Sequence, residues 1–238
     1  MWLDSLTSKQ FLLAYHIGER LRRLGHEVII TCRNYDYIIS LARLLNVDNI
    51  YCIGGYGESL EEKLVQDISR MEKLVSFVKR FEPDILISYP SPSAFRVAFG
   101  LKIPIICISD SPHSVIVNRL TLPLASKLIV PKCIPEDEFR KFIINDLTEI
   151  ISYNGVDEVE FVRNFKPSLK VLSELNLDEN DVIVIIRPEE SKASYYTYGF
   201  TLEPILKRLV MLNVKIVYFP RYKEQLIKVL EKLKNNII

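Results

Sequence analysis

The sequence predicts an α/β protein: a doubly wound parallel sheet, followed by a second, incomplete α/β domain. Three observations predict it. Short apolar runs alternate with longer segments of helical period, which is the pattern of βαβ units. Hydroxyl, glycine and acidic residues collect where the apolar runs end. The length of 238 residues falls between one large domain and two modest ones, since domains usually run about 100 to 200 residues.

The elements follow in order. Apolar runs at Trp2 to Asp4, Glu27 to Cys32, Ile50 to Ile53, Asp84 to Ser88 and Pro104 to Ser109, with a shorter one at Lys127 to Val130, read as strands with helices between them. The clearest helix runs from Glu58 to Arg80. There Leu60, Leu64, Ile68, Met71, Val75 and Val78 recur at three- and four-residue steps and form one apolar stripe, expected to pack on the sheet. Glu82-Pro83-Asp84 ends it, because proline disfavours helical geometry in the residue before it. After the turn residues Tyr153-Asn154-Gly155 comes a polar segment, and Lys166-Pro167 is expected to start a new helix. The boundary therefore falls at 165, giving an N-terminal domain 1–165 and a C-terminal domain 166–238. The second reads as a helix through Leu175, a strand Val182 to Arg187, a helix Thr201 to Leu212, a strand Lys215 to Phe219 and a helix from Arg221. Two strands leave much apolar surface uncovered, so this domain is expected to be truncated.

Composition excludes several classes. With 48% hydrophobic and 26% charged residues the chain is globular rather than disordered. Thirty-one Lys plus Arg against 30 Asp plus Glu leave a net charge of +1, without the excess that drives binding to nucleic acid. No apolar run approaches the roughly 20 residues of a membrane helix. Asp4 and the polar stretch Ser5 to Gln10 do not resemble a signal peptide. The cysteines Cys32, Cys52, Cys107 and Cys133 form no C-x-x-C pair, which points to reduced thiols, a cytoplasmic location and no metal.

Ligands of an open parallel sheet bind beyond the carboxyl ends of its strands. That rule selects Asp4-Ser5, Arg33, Gly54-Gly55-Tyr56-Gly57, Ser88-Tyr89-Pro90-Ser91 and Ser109-Asp110-Ser111-Pro112-His113. Capping and turn formation account for part of this enrichment. Gly54-Gly55-x-Gly57 offers amides to a phosphate at a helix N-terminus; the competing reading is a turn that needs positive φ. It is not the G-x-G-x-x-G fingerprint. Pro112 is placed at a first helical turn, so His113 would project near the helix start as a general base, with Asp110 orienting it or holding a hydroxyl. The alternative is that Ser111 caps the helix and His113 is merely exposed. His26 follows Leu24-Gly25 at a helix end and reads as structural, and His16 carries no functional claim. Arg187-Pro188-Glu189-Glu190-Ser191-Lys192-Ala193-Ser194-Tyr195 ends a strand with cations and hydroxyls suited to phosphate or a nucleotide sugar, or forms a solvated loop. Lys223 to Lys234 reads as a solvated helical face.

Several of these segments together resemble the archaeal and bacterial family catalogued as domain of unknown function 354 (DUF354). They are Trp2-Leu3-Asp4 with Thr7-x-Lys9-Gln10, Gly25-His26-Glu27-Val28 through Thr31-x-Arg33-x-Tyr35, Ser91-Pro92 with Arg96-Val97-Ala98-Phe99-Gly100, and Asp110-Ser111-Pro112-His113. Further on lie Asn118-Arg119-Leu120-Thr121-Leu122-Pro123-Leu124-Ala125, Tyr153-Asn154-Gly155, and Arg187-Pro188-Glu189 with Lys192-Ala193-Ser194-Tyr195. Their order and spacing are specific. The family looks like a branch of the glycosyltransferase-B superfamily, with Rossmann-like domains, alongside nucleotide-sugar 2-epimerases and the transferases of lipid-linked peptidoglycan precursors. In those transferases a His-containing segment followed by Asn-Arg occupies a place similar to His113 and Asn118-Arg119. Members continue past the Arg221 region into a Gly-Gly-rich loop and a nearby Glu, which this chain lacks.

The resemblance implies glycosyl transfer or sugar epimerisation on a nucleotide sugar of the UDP type, or on a glycosylated acceptor, with no certain cofactor. His113 and Asp110 would be catalytic. Asp4, Lys9, Arg33, Gly54, Gly55, Ser88, Ser91, Ser111, Asn118, Arg119, Arg187, Lys192 and Ser194 would bind substrate. A bound phosphate or sugar should touch at least three rim residues, and the second domain should close over it with Tyr153-Asn154-Gly155 near the hinge. The rival expectation is a non-catalytic binding module that self-associates or pairs with the absent segment.

Overall fold

A computed structural model describes residues 1–35, 37–47, 49–163, 165–189, 202–212 and 214–233. The chain divides into two compact units, Met1–Phe165 and Lys166–Ile238. In the first, the strands are β1 (Trp2–Ser5), β2 (Ile29–Cys32), β3 (Ile50–Cys52), β4 (Leu86–Ser88), β5 (Ile105–Ile108), β6 (Lys127–Pro131) and β7 (Glu149–Tyr153). The helices are α1 (Ser8–Arg23), α2 (Ile38–Leu44), α3 (Leu60–Phe81), α4 (Pro92–Gly100), α5 (Val115–Thr121), α6 (Asp137–Arg140) and α7 (Glu158–Val162). The second unit holds α8 (Lys170–Glu174), β8 (Ile183–Ile186), α9 (Glu203–Val210), β9 (Lys215–Tyr218) and α10 (Lys223–Leu233).

Among the described residues the first unit forms one seven-stranded sheet, ordered β3-β2-β1-β4-β5-β6-β7 and parallel throughout. The strand order reverses between β1 and β4, which is the switch point of a doubly wound sheet. Side chains alternate across it. Leu3, Ile30 and Cys32 face Phe11 and Ala14 of α1 and Ile38 and Ala42 of α2. Trp2, Leu86 and Ile105 face Leu74 and Val78 of α3 and Phe95 of α4. In the second unit β8 and β9 pair in parallel, with Ile183 opposite Lys215, and bury Ile186, Ile216 and Tyr218 against Leu206 and Val229. No helix among the described residues is long and apolar enough to cross a membrane.

The strands that the sequence predicts lie within two residues of their expected ends. Three readings need correction. The stripe on α3 packs on the sheet only over its C-terminal half: Leu60 is 85% exposed, Leu64 62% and Ile68 53%, whereas Leu74 and Val78 are buried. At about 1.5 Å per residue the helix runs some 33 Å along a sheet whose neighbouring strands have three residues each, about 10 Å, so its first half overhangs. The strand β7 escaped the sequence reading because it is an edge strand of mixed polarity, Glu-Ile-Ile-Ser-Tyr, whose residues are all exposed or only partly buried. Lys166-Pro167 does not begin a helix; α8 starts at Lys170.

Candidate functional site

Beneath the carboxyl end of the sheet lies a buried ion pair. Arg70, near the middle of α3, reaches across to Asp4 at the end of β1, Nη2 to Oδ1 at 2.5 Å, and both side chains are almost wholly inaccessible. Arg70 Nη1 donates to Ser93 Oγ at 2.8 Å and Nε to the Ile53 carbonyl at 2.9 Å. Asp4 also accepts from Thr31 Oγ1 at 2.5 Å and Ser91 Oγ at 2.8 Å, and Thr31 Oγ1 accepts from Trp2 Nε1 at 2.7 Å. A charge pair survives burial when its remaining hydrogen-bonding capacity is met, as it is here. The network ties β1, β2, α3 and α4 together at the switch point.

Above it, at the mouths of β1, β5 and β7, sits a second charged cluster. Thr7 caps α1, whose first turn aims Lys9 at the loop after β5. Lys9 Nζ meets Asp110 at 2.6 Å and Glu158 at 2.9 Å, and lies 3.9 Å from Asp157 Oδ2. Those carboxylates outweigh desolvation and raise the Lys9 pKa. Burial pushes Asp110 up, but bonds from Lys9 and Ser111 Oγ win and hold it below the usual carboxylate range. Asp157 goes the other way: burial raises it, Lys9 offsets this in part, and Glu158 adds to the rise. Its Oδ1 accepts from the Tyr153 hydroxyl, while Oδ2 makes no hydrogen bond. Helix α7 delivers Glu158 by packing on α1, where Glu160 accepts two 2.7 Å bonds from Arg20 and Phe161 lies against His16.

A third patch surrounds Arg33. Its Nε donates to the Leu6 carbonyl at 3.0 Å. Its guanidinium lies 4.7 Å from the Tyr35 ring centroid and 5.2 Å from that of Tyr56, which stack on each other at 4.2 Å. Burial, the dominant influence, lowers the Arg33 pKa. A small cavity of about 30 Å³ opens here, lined by Arg33, Gly55, Tyr56, Gly57, Lys63 and Gln66 among others, which is room for about one water molecule.

The predicted site residues separate accordingly. Asp4, Ser88, Ser91 and Asn118 are buried rather than exposed on the rim, and Asn118 Oδ1 is buried there without a hydrogen-bond partner. Ser88 Oγ donates to the Asp4 carbonyl at 2.9 Å, and Asn118 Nδ2 donates to the Ser111 carbonyl at 3.0 Å, holding the loop that carries Asp110. Gly54 adopts φ +82°, so the turn reading applies there. The amide of Gly55 donates to Gln66 Oε1, and the α3 N-terminus is closed by a capping box of Ser59 and Glu62. Of the predicted phosphate cradle, the Gly55 amide is thus engaged by Gln66 and the start of α3 by its own capping residues. Helix α5 begins at Val115, not Pro112; Pro112 and His113 form a turn before it, and His113 and Arg119 are exposed. Asp110 bonds Lys9 and Ser111. Arg187 is exposed beyond β8, and Lys192 and Ser194 lie outside the described residues. Sequence reasoning missed Arg70, Tyr153, Asp157 and Glu158. Arg70 was legible in one respect, as it precedes the buried Leu74 and Val78 at four-residue steps.

The profile of a family described as "Protein of unknown function (DUF354)" matches residues 1–238. The chain belongs to that family. The uncharacterized protein MJ0665 of Methanocaldococcus jannaschii is 27% identical over 233 residues, covering 94% of this chain and 67% of that protein. Among solved structures, the chain resembles the UDP-GlcNAc 2-epimerase of Neisseria meningitidis bound to UDP-GlcNAc, with a TM-score of 0.69 and 16% identity over 100% of this chain and 71% of that one. It also resembles the S. aureus MnaA–UDP structure (TM-score 0.72, 12% identity, 99% and 68% coverage). A third is the M. jannaschii UDP-GlcNAc 2-epimerase in complex with UDP-GlcNAc and UDP (0.69, 16%, 100% and 73%). These likenesses establish the Rossmann-like, glycosyltransferase-B type of fold for this member of the family.

Proposed function

We propose that the protein binds a nucleotide sugar of the UDP type, or a glycosylated acceptor, at the carboxyl rim of its first unit, and acts by glycosyl transfer or sugar epimerisation. The observation that carries this reading is the cluster of Lys9, Asp110, Asp157, Glu158 and Tyr153 beyond strands β1, β5 and β7. It sits beside the switch point, where a doubly wound sheet receives ligands. Two carboxyl groups there have pKa values displaced in opposite directions, the usual arrangement for supplying a base and an acid from one residue type. Asp110, ionised, accepts a sugar hydroxyl or its proton. Asp157, whose pKa burial raises, stands beside it as the candidate acid. His113, exposed three residues on, is the alternative base, and Arg33 with its tyrosine stack offers a cation and ring faces to a nucleotide. The bound UDP and UDP-GlcNAc of the fold relatives support the substrate class, and the free cysteines support a cytoplasmic setting.

Calorimetric titration with UDP, UDP-GlcNAc and other nucleotide sugars tests this, followed by product analysis of any turnover. Saturable binding that weakens at least tenfold in Asp110→Asn or Arg33→Met is expected, and His113→Ala decides which base operates. Absence of saturable binding for every nucleotide and nucleotide sugar would overturn the reading, as would a ligand seated away from this rim.

A further inference from the structure

We propose that Cys32 and Cys52 are a dithiol–disulfide pair, a site of reversible thiol oxidation at the carboxyl edge of the first sheet. The two residues end neighbouring parallel strands and are direct register partners, Cys32 on β2 opposite Cys52 on β3. Residues in parallel register place their side chains on the same face, and adjacent strands lie about 4.8 Å apart, within the Cα separation of about 4.4 to 6.8 Å that a disulfide spans. The two thiols face each other closely enough to interact. Both are free, and they divide the labour by exposure: Cys32 is fully buried with Ile30 and Ile38, whereas Cys52 stands exposed on the edge strand. The other two cysteines lie on other strands or loops. Cys107 is buried in β5, and Cys133 is exposed after β6.

The chemistry follows from that division. The Cys52 thiolate attacks one sulfur of a low-molecular-weight disulfide such as oxidised glutathione; the oxidant's S–S bond breaks and one small thiolate leaves. Cys32 then loses its proton to solvent and attacks the Cys52 sulfur, expelling the second small thiolate. The protein loses two electrons and two protons, and one oxidant disulfide becomes two thiols. Burial raises the Cys32 thiol pKa, with Cys52 and Asp4 adding to the effect, so the resolving step should quicken as pH rises. The bond would fasten the two strand ends from which Arg33 and Gly54 continue; Asn34 N already donates to the Gly54 carbonyl at 2.9 Å.

The full chain equilibrated in glutathione redox buffers, quenched by alkylation and mapped by peptide mass, tests this. The expected product is an intramolecular Cys32–Cys52 disulfide, reversed by dithiothreitol, formed faster at higher pH and absent in Cys52→Ser. That substitution is at an exposed position and should fold, with Cys133→Ser as the control that still forms the bond. A stable glutathione adduct on Cys52 without ring closure, both thiols persisting through the oxidising range, or linkage of either to Cys107 or Cys133 would each overturn the proposal.

Discussion

Replacing Arg70 with methionine removes one half of the buried pair while keeping most of the side-chain volume. Asp4 keeps its bonds from Thr31 and Ser91, but its charge loses the partner at 2.5 Å, and the Ile53 carbonyl and Ser93 hydroxyl lose theirs. Removing one partner of a buried pair costs about 3 to 5 kcal/mol. With a urea dependence of about 2 kcal/mol per molar, the midpoint should fall by roughly 2 M. The chain's single tryptophan, Trp2, is buried and hydrogen-bonded to the Thr31 hydroxyl that in turn bonds Asp4. Its fluorescence therefore reports unfolding of the first unit separately from the second. Adding Asp4→Asn to Arg70→Met should restore part of the loss, because the orphaned charge is gone. A midpoint within about 0.5 M of the wild type, or strictly additive single and double variants, would refute the argument that this pair depends on mutual burial.

Gly57→Ala should destabilise the first unit by about 1 to 3 kcal/mol, a typical overpacking cost, because a Cβ there would lie 2.3 Å from the backbone carbon of Glu62; hydrogen exchange over the first turns of α3 measures it. Lys9→Met should raise the pKa values of both Asp110 and Glu158, read by carboxyl-carbon NMR titration. Asp110 is depressed in the native state, so its contribution is present above the unfolded value and is lost as pH falls through the native one; the variant should show a shallower acid loss below about pH 4. Asp157 carries the opposite sign. Its native pKa is raised, so stability falls as pH rises from the unfolded value toward the native one, and Asp157→Asn, which retains an acceptor for Tyr153, should melt higher at pH 7 while gaining little at acid pH. Unchanged melting at pH 7 would show that the carboxyl group is not held at a cost.

The parallel α/β architecture was legible because most of its strands and its longest helix announce themselves locally: the run Pro104 to Ser109 is nearly continuous apolar sequence, and apolar residues recur at helical steps from Glu58 to Arg80. Strand-end geometry then located the rim, and placed Arg33, Asp110 and His113 on it. The sequence could not decide which polar rim residues face outward. Asp4 and Asp110 both end apolar strands, yet one is sealed beneath α3 by Arg70, 66 positions away, and the other is half-exposed against Lys9, 101 positions away. Nor did the pattern reveal Asp157 and Glu158, which reach the site only because an edge strand leads into a short helix that packs back on α1. Periodicity records the face a residue occupies on its own element. Which partner meets it there depends on sheet order and helix overhang, and those are set by packing between segments distant in the chain.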